Sequence, residues 1–193
     1  MRGRDRMDAF SYLSVLISII LGLAITQVLT GIGRLLQVRR RVRLYWPGLV
    51  QTVLMLVGLV QIWWAMFDLR HETHWTFGRF LAVLLLPVDA FLVTSVMFSD
   101  VPPEGRIDLK AHYYENARAF FVLVSLLPLA SLFEEWVSSG RVPLDLDAGF
   151  RVLIFAANLL AAITRREWFH KLFAICIAVI VAAYFSVLFT NLR

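Results

Sequence analysis

Residues 10–33 read FSYLSVLISIILGLAITQVLTGIG, twenty-four consecutive positions without a charged side chain. A helix of about 20 mostly apolar residues crosses a bilayer core of roughly 30 Å. The run is long enough for that, and too long for the apolar centre of a cleavable signal, about 7–15 residues. It closes at Arg34 and at the basic run Arg39, Arg40, Arg41 and Arg43. It predicts a first membrane-spanning helix behind the basic start MRGRDR. Met7 opens an alternative start, MDAFSYL. Translation from Met7 is a hypothesis that intact Arg2 in N-terminal sequencing would dismiss.

The same pattern recurs five times. Apolar runs at 47–67, 76–98, 114–137, 148–164 and 169–191 alternate with short charged clusters. Pro47 suits the first turn of the second helix, where its missing N–H costs nothing. Ser99-Asp100-Val101-Pro102-Pro103 ends the third, and the segment on to Lys110 is expected as loop, because Pro-Pro and Glu-Gly break helix and strand alike. Ser138-Ser139-Gly140 and Pro143 end the fourth. The fifth run is the shortest, close to the lower limit for a span. The expectation is an all-α fold: a polytopic transmembrane bundle of six helices with short loops, one integral membrane domain over 1–193.

Composition agrees. The 193 residues are 60% hydrophobic and 17% charged, with mean hydropathy +0.73. Soluble domains average about 45–50% apolar and about 25% charged. The net charge of +5 comes from basic residues in loops, where they orient a membrane chain and meet anionic head groups. Nucleic acid is not an expected partner. The single cysteine, Cys176, permits no intramolecular disulfide, thiolate zinc site or iron–sulfur cluster. It is expected as inert packing in the last span.

Six crossings place both termini at one end of the bundle, here end A, opposite end B. End A carries 8 of the arginines and lysines and end B carries 11; starting at Met7 the split is 5 to 11. The positive-inside rule then puts end B in the cytoplasm and both termini outside, with a bacterial inner membrane as the expected location. Trp63, Trp64, Trp75 and Trp136 fall near end A; Tyr45, Trp46, Tyr113, Tyr114 and Trp168 fall near end B. Amphipathic rings favour the head-group level.

Among residues that carry chemistry, Asp89 is the most informative. It sits mid-span in LLLPVDAFLV. An acid at bilayer centre costs about 2.5–3.5 kcal/mol on insertion scales, so it is expected to face the bundle with a partner or water. Pro87 frees a carbonyl nearby. The functional reading is a proton or cation site on a pathway. The packing reading is a hydrogen-bonded acid that locks helices together. The first helix carries Ser14, Ser18, Gly22, Thr26 and Thr30 at a spacing of four. Small residues on one face let helices approach closely, so the stripe is expected to pack on another helix of the chain or on a second copy. A hydroxyl-lined pathway with Thr26 and Gln27 is the functional alternative.

Asp68, His71, Glu72 and His74 end the second helix with donors that suit a divalent metal. Their spacing, HExH, is one residue short of the HExxH zinc motif. Glu134 and Glu135 face Arg151 across the fourth hairpin, where an ion pair is expected. With Asp68, Glu72, Asp145 and Asp147 they also compose an acidic vestibule. His112, Glu115, Arg118 and His170 near end B are expected at the head groups. Arg39, Arg40, Arg41 and Arg43 are expected on anionic lipid.

No phosphate-binding, dinucleotide-binding or serine-hydrolase motif is present. No filter sequence, arginine ladder or paired intramembrane histidine is present either. No cofactor is implied. Three functions follow. The first is a transport or channel protein for a proton, cation or small solute, with Asp89 on the path, acting as a homo-oligomer. The alternative is a non-catalytic membrane subunit or sensor that binds a partner protein or lipid. The last, least supported, is a membrane-embedded enzyme built on a His/acid cluster.

Overall fold

The computed structural model describes residues 9–72, 74–98, 106–141 and 145–188. The six helices are α1 (Ala9–Gln37), α2 (Trp46–Ala65), α3 (Phe77–Met97), α4 (Leu109–Ser139), α5 (Leu146–Ile163) and α6 (Glu167–Leu188). All six are long and apolar enough to cross a membrane. Hydrocarbon offers no hydrogen bonds, and a helix satisfies its own backbone, which is why this sequence resolves into helices there. The chain is a multi-pass integral membrane protein with an all-α bundle fold.

Helix boundaries follow local chemistry. The Thr76 hydroxyl accepts from the Arg79 N–H at 3.2 Å and opens α3. The Asp145 carboxylate accepts from the Ala148 N–H at 2.9 Å and opens α5. Such caps satisfy donors that a helix start leaves orphaned. At the end of α4, Gly140 takes φ 70°, the left-handed turn that only glycine enters without steric cost. The 18 residues of α5 reach about 27 Å at 1.5 Å per residue.

Three differences from the sequence expectation are local. The stretch 106–110 is not all loop: Ile107–Asp108 forms a two-residue strand, β2, and α4 begins at Leu109. The Asp108 carboxylate caps the N–H groups of Lys110 and Ala111 at 2.9 and 3.3 Å. That cap lets the helix start well before the apolar run does. β2 pairs in parallel with β1 (Val42–Arg43), in the register Val42 to Ile107 and Arg43 to Asp108. Secondly, α2 stops at Ala65, and a 3₁₀ helix continues over Met66–His71. Thirdly, Cys176 is exposed on the outside of α6, because His170, Phe173, Ala174 and Ile177 form that helix's buried side. The segment 99–105, the arginines at 2, 4, 6 and 193 and the start at Met7 lie outside the described residues.

Around the bundle the neighbours run α1, α3, α4, α5, α6, α2 and back to α1. α3 against α4 and α4 against α5 are the most extensive contacts; α2 and α6 are held more lightly. The buried side of α1 is Leu13, Ile17, Leu21, Ala24 and Val28, at helical spacing. Gly31 permits the closest approach: a Cβ there would collide with the Phe98 ring just past α3. Large apolar side chains such as Val15, Ile19, Leu23 and Val53 point outward. In a bilayer that surface meets lipid, and association rests on packing rather than on water exclusion.

Candidate functional site: two cavities that share a wall

Where α2 and α6 pack lightly against the rest, the bundle is not filled. A cavity of about 670 Å³ lies among α2, α3, α4, α5 and α6. One face of α2 lines it from Gln51 through Leu54, Met55, Gly58, Gln61 and Ile62, a stripe of about 15 Å by helical rise. Most of the wall is aliphatic. The polar groups fall at end A and at a few interior points.

End A of this cavity carries Asp68, Glu134, Glu135, Asp147 and Arg151. Arg151 donates to Glu135 at 2.6 Å and pairs with Asp147 one turn earlier, so the expected ion pair across the α4–α5 hairpin is present. Asp68 and Glu134 have no salt-bridge partner among the described residues; Glu134 accepts from the Ser138 hydroxyl at 2.7 Å. Four carboxylates face one guanidinium, and the mouth is net acidic. Further in stand Ser131, Gln61, Asn158 and Gln51. Asn158 is 2% exposed and bonds back to the Ile154 carbonyl. The Nε2 groups of Gln51 and Gln61 are buried with no hydrogen-bond partner among the described residues. A buried amide without a partner costs about 1–3 kcal/mol.

Two prolines add acceptors. Pro87 in α3 and Pro128 in α4 lack an N–H, so each deprives the carbonyl four residues earlier of its helical donor. Those carbonyls belong to Val83 and Val124, and both residues line the same cavity.

A second cavity, of about 420 Å³, enters from end B between α1, α2, α3 and α4. Arg39, Leu44, Tyr45 and His112 stand at its outer part, and Thr52 and Asn116 deeper. Gln51 and Phe120 line both cavities. Gln51 is 6% and Phe120 8% exposed. The two cavities therefore adjoin at Gln51 and Phe120.

End B is fastened by aromatic and imidazole groups. His170 is fully buried: its Nε2 lies 2.7 Å from the Thr164 carbonyl and its Nδ1 lies 3.0 Å from the Tyr113 hydroxyl. The carbonyl can only accept, so Nε2 donates to it and Tyr113 donates to Nδ1. The Tyr45 and Tyr114 hydroxyls meet at 3.0 Å. Burial, together with Tyr114, holds the Tyr45 phenol well above its usual range, so it stays protonated. His170, Tyr45 and Tyr113 are therefore packing groups, not head-group contacts. They pack because α4 starts early enough to bring Tyr113 and Tyr114 against α2 and α6. His112 bonds the Met97 carbonyl at 3.0 Å, while Glu115 and Arg118 are exposed. Trp46 and Trp168 are exposed, at 41% and 60%, as an interfacial ring would be.

The remaining sequence candidates fall outside the large cavities, apart from Asp68 and Arg39. Asp89 is 8% exposed, its Oδ2 has no hydrogen-bond partner among the described residues, and it lines neither large cavity. Gln27 accepts from the Thr94 hydroxyl at 2.6 Å and ties α1 to α3. Thr26 bonds its own helix at Gly22, 2.7 Å away. Ser18, Gly22, Thr26 and Thr30 are exposed and Ser14 is half-buried, so the stripe lies on the outside rather than against another helix of this chain. Asp68, His71, Glu72 and His74 do not converge: among the described residues no three His, Cys, Asp or Glu are grouped to hold a metal. Glu72 is taken by Arg79, and His71 accepts from Arg70 at 2.9 Å. Arg39–Arg41 form a 3₁₀ turn, and Arg43 lies 3.6 Å from Asp108.

Gln51, Gln61, Asn158 and Phe120 were not singled out from the sequence. The three amides had a signal, since polar side chains inside apolar spans stand out. Phe120 had none among 15 phenylalanines.

The fold and the cavities define a polytopic α-helical membrane protein with a polar-ended chamber inside its bundle. No protein family, no characterised protein and no solved structure matches the chain.

Proposed function

We propose that the protein moves a small cation, or a small solute bearing a positive charge, across the membrane. The reading rests on one observation: cavities entering from opposite ends of the bundle meet at Gln51 and Phe120. The acidic mouth supports the sign of the charge, since clefts lined by one sign of charge in low-dielectric walls concentrate counter-ions. The carbonyls of Val83 and Val124 support the interior, because freed backbone acceptors are tolerated in a span where they line a cavity. The volume lies within the range of about 300–1,000 Å³ typical of small-molecule sites. Asp89 lines neither cavity and is not given a place on this path.

The proposal keeps end B in the cytoplasm of a bacterial cell, on the strength of its arginine excess. It also keeps self-association through the exposed Ser18–Thr30 stripe, whose small side chains suit close helix contact.

Proteoliposome flux tests it. Protons, sodium, potassium and tetraethylammonium would be offered in turn, with protein-free vesicles as the baseline. At least one should cross faster with protein present. Phe120→Ala should raise that flux by opening the shared wall, and Asp68→Asn with Glu134→Gln should lower it. Fluxes equal to the baseline for all four, in both the natural protein and Phe120→Ala, would end the proposal.

A further inference from the structure

The cavity at end B holds a buried donor, the Gln51 Nε2, with no acceptor among the described residues, and a run of arginines stands at the cavity's outer end. We infer that this cavity is a binding site for an anionic glycerophospholipid. The phosphate would lie on Arg39, the ester carbonyl on Gln51, and an acyl chain along the apolar wall.

Three observations converge. Arg39 lines the cavity and belongs to the 3₁₀ turn Arg39–Arg41, with Arg43 just beyond it. Each basic residue near an anionic leaflet favours binding severalfold. Secondly, Gln51 is 6% exposed, lines the cavity and leaves Nε2 without a partner. It lies five residues into α2, roughly 8 Å along the helix from its first residue at end B. The polar interfacial layer on each side of the hydrocarbon, which includes the ester carbonyls, is about 5–8 Å thick. A carbonyl is the acceptor that Gln51 lacks. Thirdly, Ile32, Leu35, Leu49, Val96 and Leu109 supply an apolar wall for a chain. A free phosphate ester could meet the arginines, but it has no use for that wall.

The inference does not depend on the transport reading, because binding is read directly. The natural protein, purified in a neutral detergent, would be incubated with dioleoyl phosphatidylglycerol, dioleoyl phosphatidylcholine or glycerol 3-phosphate. Retained ligand would be counted by native mass spectrometry and retention compared with thermal stability. Phosphatidylglycerol should be held, and should raise the midpoint of unfolding. Phosphatidylcholine should be held at least about fivefold more weakly, and glycerol 3-phosphate not at all.

Gln51→Leu should bind phosphatidylglycerol about tenfold more weakly, the scale of one hydrogen bond to a buried donor. The same change removes an unpaired buried amide, so the lipid-free variant should unfold at the same temperature as the natural protein or higher. Arg39→Gln should weaken retention severalfold at an exposed position that carries no core packing. Arg40→Gln, at an exposed position outside the cavity wall, should leave it unchanged. Three results would overturn the site: equal retention of the two lipids, retention unmoved by both Gln51→Leu and Arg39→Gln, or displacement of the lipid by glycerol 3-phosphate.

Discussion

The Tyr113 hydroxyl lies 3.0 Å from Nδ1 of His170, while Nε2 of the same ring lies 2.7 Å from the Thr164 carbonyl. One imidazole thus joins α4, α6 and the α5–α6 link. Phe121, Phe169 and Tyr114 close around the ring with centroids 5.3–5.6 Å away. Tyr113→Phe keeps the aromatic contacts and removes only the donor to Nδ1. It should cost about 1–3 kcal/mol, the range for leaving one buried acceptor unpaired. His170→Ala adds a cavity and should cost more. Unfolding by sodium dodecyl sulfate in mixed micelles, followed by far-ultraviolet circular dichroism, gives both values.

At end A, Arg151 is shared between Glu135 on α4 and Asp147 on its own helix. Its side chain is 15% exposed. Removing the cation leaves two carboxylates facing each other at the cavity mouth. Arg151→Met should therefore destabilise more than Glu135→Gln, with a loss of about 1–3 kcal/mol for the half-buried carboxylates left without their charged donor. The double variant Arg151→Met with Asp147→Asn should recover part of that loss. The same detergent titration decides it, and an Arg151→Met protein as stable as the natural one would be the contrary result.

Glu72 pairs with Arg79 in the turn before α3. The Arg79 hydrogen bond holds the Glu72 carboxyl below its ordinary range. A lowered folded value means the pair contributes fully above the ordinary carboxylate range, about pH 4–5. That contribution fades as pH falls through the lowered value. Glu72→Gln should therefore be less stable than the natural protein at pH 7, and the gap between the two should shrink toward pH 3. Thermal unfolding across that window checks it. A gap that widens on acidification would contradict the pairing.

Gly31→Ala probes the crossing of α1 by the end of α3. Alanine is the better helix former by about 1 kcal/mol, yet its methyl would meet the Phe98 ring. Overpacking of this kind costs about 1–3 kcal/mol. The variant should be less stable on balance, and Gly31→Ala with Phe98→Leu should restore stability. Gly22→Ala has open space around it and should be neutral or slightly stabilising in a single chain.

How much of this was legible beforehand differs between fold and site. The six spans came straight from runs such as 10–33, because hydrocarbon demands long uncharged helices and permits little else. Their ends were harder. α4 begins at Leu109 because Asp108 caps it, and a cap outside an apolar run leaves no mark in hydropathy. The site was mostly hidden. Asp89 stood out by its charge, but sequence does not say which side of a helix meets a cavity and which meets another helix. The stripe from Gln51 to Ile62 becomes a cavity wall because α3, α4, α5 and α6 leave space beside it, and that arrangement is a property of the other helices. His170 was misplaced for a similar reason: it occupies the first turn of α6, where the head groups lie, but Tyr113 and Thr164 fold over it.

Gln51 has a consequence that binding at either end alone would not reveal. A ligand from end A and a lipid from end B would draw on the same single amide. Occupancy of one side must then change affinity on the other, and the change is mutual: if the lipid weakens the cation by some factor, the cation weakens the lipid by that same factor. One side chain at the boundary would make the composition of one leaflet a thermodynamic input to what is bound from the opposite face.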